Sequence, residues 1–204
     1  MIVSLSGLIG SGKDTVADIL VNQHGFKRES FASSLKDATA SIFGWDREIL
    51  EGKTPEARLA REEVDEWWAK RLNIPKLTPR WVLQYIGTDV LRPFFHEDIW
   101  VASLENKLRR AEGQNIVISD ARFLNELKLL KNSGAVTIRV KRGPDPDWWA
   151  MASDVSIATP EKVLQMKRHD IHSSEWEWAS YDFDKIIDNN GSLLDLSIQV
   201  NQLI

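Results

Sequence analysis

The chain has 204 residues, 43% hydrophobic and 27% charged, which suits one ordinary domain with a core and excludes disordered and fibrous classes. A net charge of -4 gives no global attraction to nucleic acid or anionic membranes, so any phosphate site has to be local. The lack of cysteine excludes disulfides and thiolate metal sites and fits a reducing compartment.

Ile2 to Ser6 is short, apolar and β-rich, then come glycines, then Val16, Ile19 and Leu20 at helical spacing, so the opening reads strand, loop, helix. The apolar start has no basic leader and no signal-length core, and no stretch approaches the roughly 18 apolar residues of a membrane span. A cytoplasmic protein is expected.

Phe26 to Phe31 is a candidate strand, and Ser33 to Phe43 reads as a helix with Leu35, Ala38 and Ile42 on one side. Between Trp45 and Asp98 the pattern predicts three helices, broken at Thr54-Pro55, at Asn73-Ile74-Pro75 and at Arg92-Pro93. Val101, Leu104, Leu108 and Ala111 mark a further helix, which Gly113 ends. Asn115 to Ser119 then reads as a buried strand with Asp120 at its carboxyl end. Phe123, Leu127 and Leu130 predict a helix stopped by Gly134, and Ala135 to Val140 the next strand. Gly143 to Tyr181, with three prolines and four tryptophans, reads as irregular, ahead of a strand at Lys185 to Asp188 and a helix carrying Leu193, Leu196, Val200 and Leu203. Such alternation predicts an α/β fold with a parallel sheet.

The chemistry begins at Gly7-Leu8-Ile9-Gly10-Ser11-Gly12-Lys13, which satisfies G-x-x-x-x-G-K. Backbone N–H groups of such a loop wrap phosphate oxygens while the lysine reaches the β and γ phosphates. Strand before and helix after add the positive helix end. A glycine turn that only joins strand to helix would explain neither Lys13 nor the three glycines. Asp14 stands where the common pattern has Ser or Thr for magnesium, and the hydroxyl arrives one place later at Thr15. Asp14 is therefore either a helix cap or a holder of a metal-bound water.

GLIGSGKDTVADIL resembles the opening of the deoxynucleoside monophosphate kinases of tailed bacteriophages, within the P-loop nucleoside monophosphate kinase superfamily. The likeness continues through SLKDA (Ser34 to Ala38), LQYIGTDVLRPFF (Leu83 to Phe95), IWVASL, VISDARFLNELKLLKNSGAVTIRVKRG (Val117 to Gly143), HSSEWE and IDNNGSL. Trp45 to Leu77 and Gly143 to Asp170 look individual. The resemblance implies a three-layer P-loop sheet flanked by helices: a core at 1–44, 96–142 and 182–204, a helical monophosphate-binding insert at 45–95 and a lid at 143–181. It implies ATP with magnesium as donor and a deoxynucleoside monophosphate as acceptor.

On that resemblance Gly10, Ser11, Gly12, Lys13, Asp14, Thr15 and Arg142 are expected on ATP, with magnesium held through phosphates and water near Asp14 and Thr15 and no direct protein ligand. Lys13, Asp120 and Arg122 are the expected catalytic residues, because phosphoryl transfer asks mainly for alignment and positive charge. Lys36, Arg80, Gly87, Thr88, Trp100, Asp120, Arg122, Glu126, Ser173 and Glu175 are expected on the acceptor. The bland readings are solvated helix faces for Lys36 and Arg80, a helix stop at Gly87, a structural pair for Asp120, and a cap near His172 to Glu175. Apart from Trp100, the tryptophans Trp148, Trp149, Trp176 and Trp178 read as packing residues.

The expected partners are the two small-molecule substrates, with no nucleic acid and no membrane; a homodimer is compatible with the sequence. A phage origin would place the enzyme in a bacterial host's cytoplasm. The donor loop alone does not name an acceptor, so a kinase of another metabolite, such as dephospho-coenzyme A or phosphomevalonate, stays open at this point. So does an ATP-dependent binding module without catalysis.

Overall fold

The computed structural model describes residues 1–111, 113–169 and 171–204. In chain order the elements are β1 (Ile2–Ser6), α1 (Lys13–His24), β2 (Lys27–Glu29), α2 (Ser33–Phe43), α3 (Arg47–Glu51), α4 (Pro55–Glu62), α5 (Glu66–Leu72) and α6 (Pro79–Gln84). A π-helical turn (Tyr85–Val90) leads into α7 (Leu91–Phe94), followed by α8 (Ile99–Arg110), β3 (Ile116–Ile118), α9 (Leu124–Asn132) and β4 (Val136–Lys141). Then come α10 (Trp149–Ser153), α11 (Thr159–Arg168), α12 (Ser173–Trp176), a 3-10 turn (Glu177–Ser180), β5 (Lys185–Asp188) and α13 (Leu193–Asn201).

The chain divides into two compact units, one made of Met1–Ser30 with Glu105–Ile204 and the other of Phe31–Leu104. The first holds a five-stranded sheet in the order β2-β3-β1-β4-β5, parallel at every pairing. One face of the sheet is apolar and covered by helices: Val3, Leu5, Val117, Ile138 and Val140 meet Val16, Ile19 and Leu20 of α1 and Leu196 and Val200 of α13, while Ser4, Ser6 and Thr137 are buried between them in the alternating positions. Parallel strands place all their carboxyl ends on one edge. The loops after β1, β3, β4 and β5 therefore gather there, where open α/β sheets bind ligands.

The segment 143–181, expected to be irregular, is helical. Ala152, Met166, Trp176 and Ala179 form a small core of their own, with Trp148 and Trp149 packed against it. Arg139, at the sheet, lies 3.7 Å from the centre of the Trp149 ring, a cation–π contact that ties this cluster to β4.

In the second unit the three expected helices are instead a series of shorter ones. Asp46, Thr54, Asp65 and Thr78 each accept a backbone N–H at a helix start. Thr54-Pro55 marks the expected break, since α3 has already ended at Glu51, and it also starts α4, where proline in the first turn lacks only an N–H that no carbonyl needs. Asn73 closes α5 in the left-handed conformation, as its place before Ile74-Pro75 suggested. Arg92-Pro93, by contrast, does not break its helix: Pro93 lies within α7. Among the described residues no helix is long and apolar enough to cross a membrane.

Candidate active site

The loop between β1 and α1 is built for an anion. Its space is tight on one side: a Cβ on Gly7 would lie 2.3 Å from the Val140 carbonyl oxygen and 2.6 Å from Ser11 Oγ. Gly12 has φ 99°, a conformation side chains rarely adopt, and a Cβ there would meet Asn189 Nδ2 at 2.2 Å. Asn189, just past β5, donates to the Ser11 carbonyl at 2.9 Å and so clamps the loop from the neighbouring strand end. Ser11 itself is buried, and its hydroxyl has no hydrogen-bond partner among the described residues. An orphaned buried hydroxyl in a glycine loop at a helix start fits a phosphate oxygen as its missing partner.

Lys13 folds back on this loop, its ammonium donating to the carbonyls of Gly7 at 2.8 Å and Leu8 at 2.9 Å. Burial and then the nearby Arg122 charge push its pKa down to about 8, against the opposing pull of Asp14 and Glu175. Arg122 is thus near enough for its charge to act on Lys13, and the two cations converge at this loop inside an acidic protein.

Arg122 sits in the loop after β3. Its backbone N–H, and that of Phe123, donate to Glu126 Oε2 at 2.8 and 3.1 Å. Glu126 is 2% exposed, so the structure places it under the loop as the carboxylate that fixes Arg122's backbone. The Arg122 guanidinium reaches Glu175 Oε1 at 2.6 Å, which joins the helical segment 143–181 to the sheet edge. Ser173 begins α12, and His172 caps that helix by accepting from the Ser174 N–H at 3.3 Å. Asp120 lies between the buried Ala121 and the buried end of β3, one residue past Ser119.

Asp14 is exposed and pairs with Arg28, which also donates to Asp18 at 3.2 Å and to Ser119 Oγ at 2.8 Å. Arg28 thus ties β2, the start of α1 and the end of β3 together. Thr15 is exposed beside it. Among the described residues no group of three or more His, Cys, Asp and Glu is placed to hold a metal ion.

A cavity of about 620 Å³ opens beside the loop, lined by Leu8, Ile9, Gly10 and Ser11 on one side and Arg142, Pro144, Trp148 and Glu175 on others. The exposed Arg142 and the glycine loop therefore share one hollow, together with Glu175 of α12.

The second unit carries the remaining candidates. Lys36 donates to Glu51 at 3.0 Å, and Arg80 to Glu62 at 2.9 Å. Trp100 is 8% exposed and donates from its indole to the Gly87 carbonyl at 2.8 Å. A Cβ on Gly87 would lie 2.6 Å from Leu35, so this glycine admits α2 to the π turn. Thr88 lines a separate, shallow cavity of about 790 Å³ with Asp89, Arg92, Pro93, His96 and Glu97.

Two residues escaped sequence reasoning. Arg28 is one polar residue in a three-residue strand, and nothing in spacing links it to Asp14. Asn189 had a signal, since it stands directly after a strand whose carboxyl end had to approach the loop.

No family model matches the chain. It is similar to a protein of Acanthamoeba polyphaga mimivirus named deoxynucleotide monophosphate kinase, 31% identical over 182 residues, which are 84% of this chain and 86% of the relative. It is also similar to the deoxynucleoside-5'-monophosphate kinase of Escherichia phage T5, 28% identical over 187 residues, 65% of this chain and 72% of that protein. Among solved structures, dephospho-CoA kinase from Campylobacter jejuni aligns over 99% of this chain and 94% of its own at 18% identity, with a TM-score of 0.48.

Proposed function

We propose a reaction for this chain from a plain starting point: it belongs to the deoxynucleotide monophosphate kinase family. The chain transfers the terminal phosphoryl group of ATP to the 5'-phosphate of a deoxynucleoside monophosphate, giving ADP and the diphosphate. The observation that carries this reading is the donor loop, with its orphaned Ser11 hydroxyl and its half-buried Lys13 ammonium.

In this reading Gly10, Ser11 and Gly12 offer backbone N–H groups to the triphosphate, and Lys13 exchanges the Gly7 and Leu8 carbonyls for phosphate oxygens. Arg142 takes the nucleotide part of ATP from the hollow it shares with the loop. Thr15 and Asp14 would hold magnesium through its waters, and the ion would neutralise charge on the phosphates when bound. Arg122 stabilises the transferring group, and Asp120 orients what binds beside it. Lys36, Arg80, Gly87, Thr88, Trp100, Ser173 and Glu175 serve the acceptor, while Glu126 acts by holding Arg122. The helical segment 143–181 is the lid, the division of the chain being core, insert and lid.

Coupled ADP release against the four deoxynucleoside monophosphates, with dephospho-coenzyme A as an added acceptor, tests the proposal. ADP that appears with one or more of the nucleotides supports it. Turnover with dephospho-coenzyme A alone, or with no acceptor, overturns it.

A further inference from the structure

The turn that ends α3 holds two arginines by one glycine. The Gly52 carbonyl accepts from Arg58 Nε at 3.0 Å, and the Arg61 guanidinium lies against the same residue, 2.9 Å from where a Cβ would stand. Gly52 has φ 66°, so both its lack of a side chain and its left-handed backbone are used here.

Arg61 is half-buried, yet its Nε, wholly out of solvent, meets no hydrogen-bond acceptor among the described residues. The carboxylates whose charge reaches it, Glu62 and Glu51, are already bonded elsewhere: Glu62 to Arg80, and Glu51 to Lys36 and Arg47. Arg80 and Arg58 add like charge beside it, and burial together with that repulsion lowers its proton affinity. A half-buried guanidinium with positive neighbours, whose nearby carboxylates are bonded to other cations, is costly. The same arrangement becomes favourable when a dianion enters, because guanidinium forks match phosphate oxygens.

We infer that Arg61, seated on Gly52 beside Arg58 and Arg80, is the receptor in this unit for a phosphate monoester dianion, the 5'-phosphate of the acceptor nucleotide. The inference rests on the proposed reaction for the identity of the anion. Arg61 lies in the stretch 45–77 that resembles no family block, so it assigns to a segment particular to this chain the task of recognising the acceptor. Arg80 then acts as a second prong once it leaves Glu62.

Calorimetric titration tests this on the full chain, with wild type and Arg61→Gln each given a deoxynucleoside monophosphate, the corresponding deoxynucleoside without phosphate, and ATP. The expected result is a loss of roughly tenfold to a hundredfold for the monophosphate alone. Binding of ATP and of the bare nucleoside stays within about twofold. Arg61→Lys recovers part of the loss, and Gly52→Ala, which crowds the guanidinium, reproduces it. Equal monophosphate binding in wild type and Arg61→Gln overturns the inference, as does a parallel loss for the bare nucleoside or ATP. If wild type binds monophosphates through Arg61 yet phosphorylates none, the anion site stands and the proposed reaction falls.

Discussion

Arg122 and Glu175, 53 positions apart in sequence, share a 2.6 Å hydrogen bond that couples the loop after β3 to a short helix of the 143–181 segment. Arg122 side-chain exposure is 38%, so the pair contributes little to stability, on the order of 1 kcal/mol or less in a double-mutant cycle followed by urea unfolding. Its weight lies in function. Arg122→Ala is expected to lower kcat/KM for the acceptor at least about tenfold while ATP affinity changes by less than about threefold. Equal losses on both substrates would move Arg122 out of the acceptor step.

Lys13→Ala is expected to reduce turnover at least about a hundredfold, or about 2.7 kcal/mol of barrier. Steady-state rates at saturating acceptor measure it. Near-normal turnover would refute the donor-loop assignment.

The depressed pKa of Lys13, about 8 against an ordinary 10.5, makes ATP binding sensitive to alkali. The phosphates favour the ammonium form, so binding takes up a proton once the pH exceeds about 8, and affinity falls above that point by up to about tenfold per pH unit. Below about 8 the ammonium is already charged and this source of pH dependence vanishes. Lys13→Arg, whose guanidinium keeps its charge, is expected to bind more weakly with a flat profile over the same range; an unchanged slope would assign it to another group.

Asn189→Ala removes the donor that holds the Ser11 carbonyl, and ATP affinity is expected to fall roughly threefold to tenfold with little change in unfolding midpoint. A loss of stability with intact ATP affinity would make Asn189 a structural clamp only.

Asp184 accepts from Lys131 and from both the backbone N–H and the hydroxyl of Thr137, which together hold its pKa at about 2 against an ordinary 3.8. The folded value is the lower one, so its contribution to stability is complete above about pH 4 and is lost as the pH falls toward 2. Asp184→Asn should be less stable than wild type at neutral pH, with the gap closing in acid, as urea midpoints at several pH values will show.

β1 and β4 were legible as β-rich runs closed by Gly7 and Gly143, β3 as an apolar triplet between helical stretches, and the donor loop because its function demands residues adjacent in sequence. The helical unit was harder to read. Its starts depend on single side chains such as Asp46 and Asp65, and a proline after threonine is equally compatible with a break. The helices between Trp149 and Ser180 were hidden by tryptophans and prolines, which carry no clear period over stretches as short as Trp149–Ser153. Contacts such as Arg28 with Ser119, or Arg61 with Gly52, follow from three-dimensional approach and leave no spacing to find.

The π turn at Tyr85–Val90 contains one residue more than a regular α-helical path over the same rise would use. A single-residue deletion there would let the helix wind normally, and because the widened turn already absorbs the extra residue, side chains downstream would keep their direction around the axis. The change would fall on the turn itself, where the Gly87 carbonyl accepts from the Trp100 indole and Thr88 lines the hollow it shares with Arg92 and His96. The extra residue therefore serves the contact of Gly87 with Trp100 and not the chain beyond it.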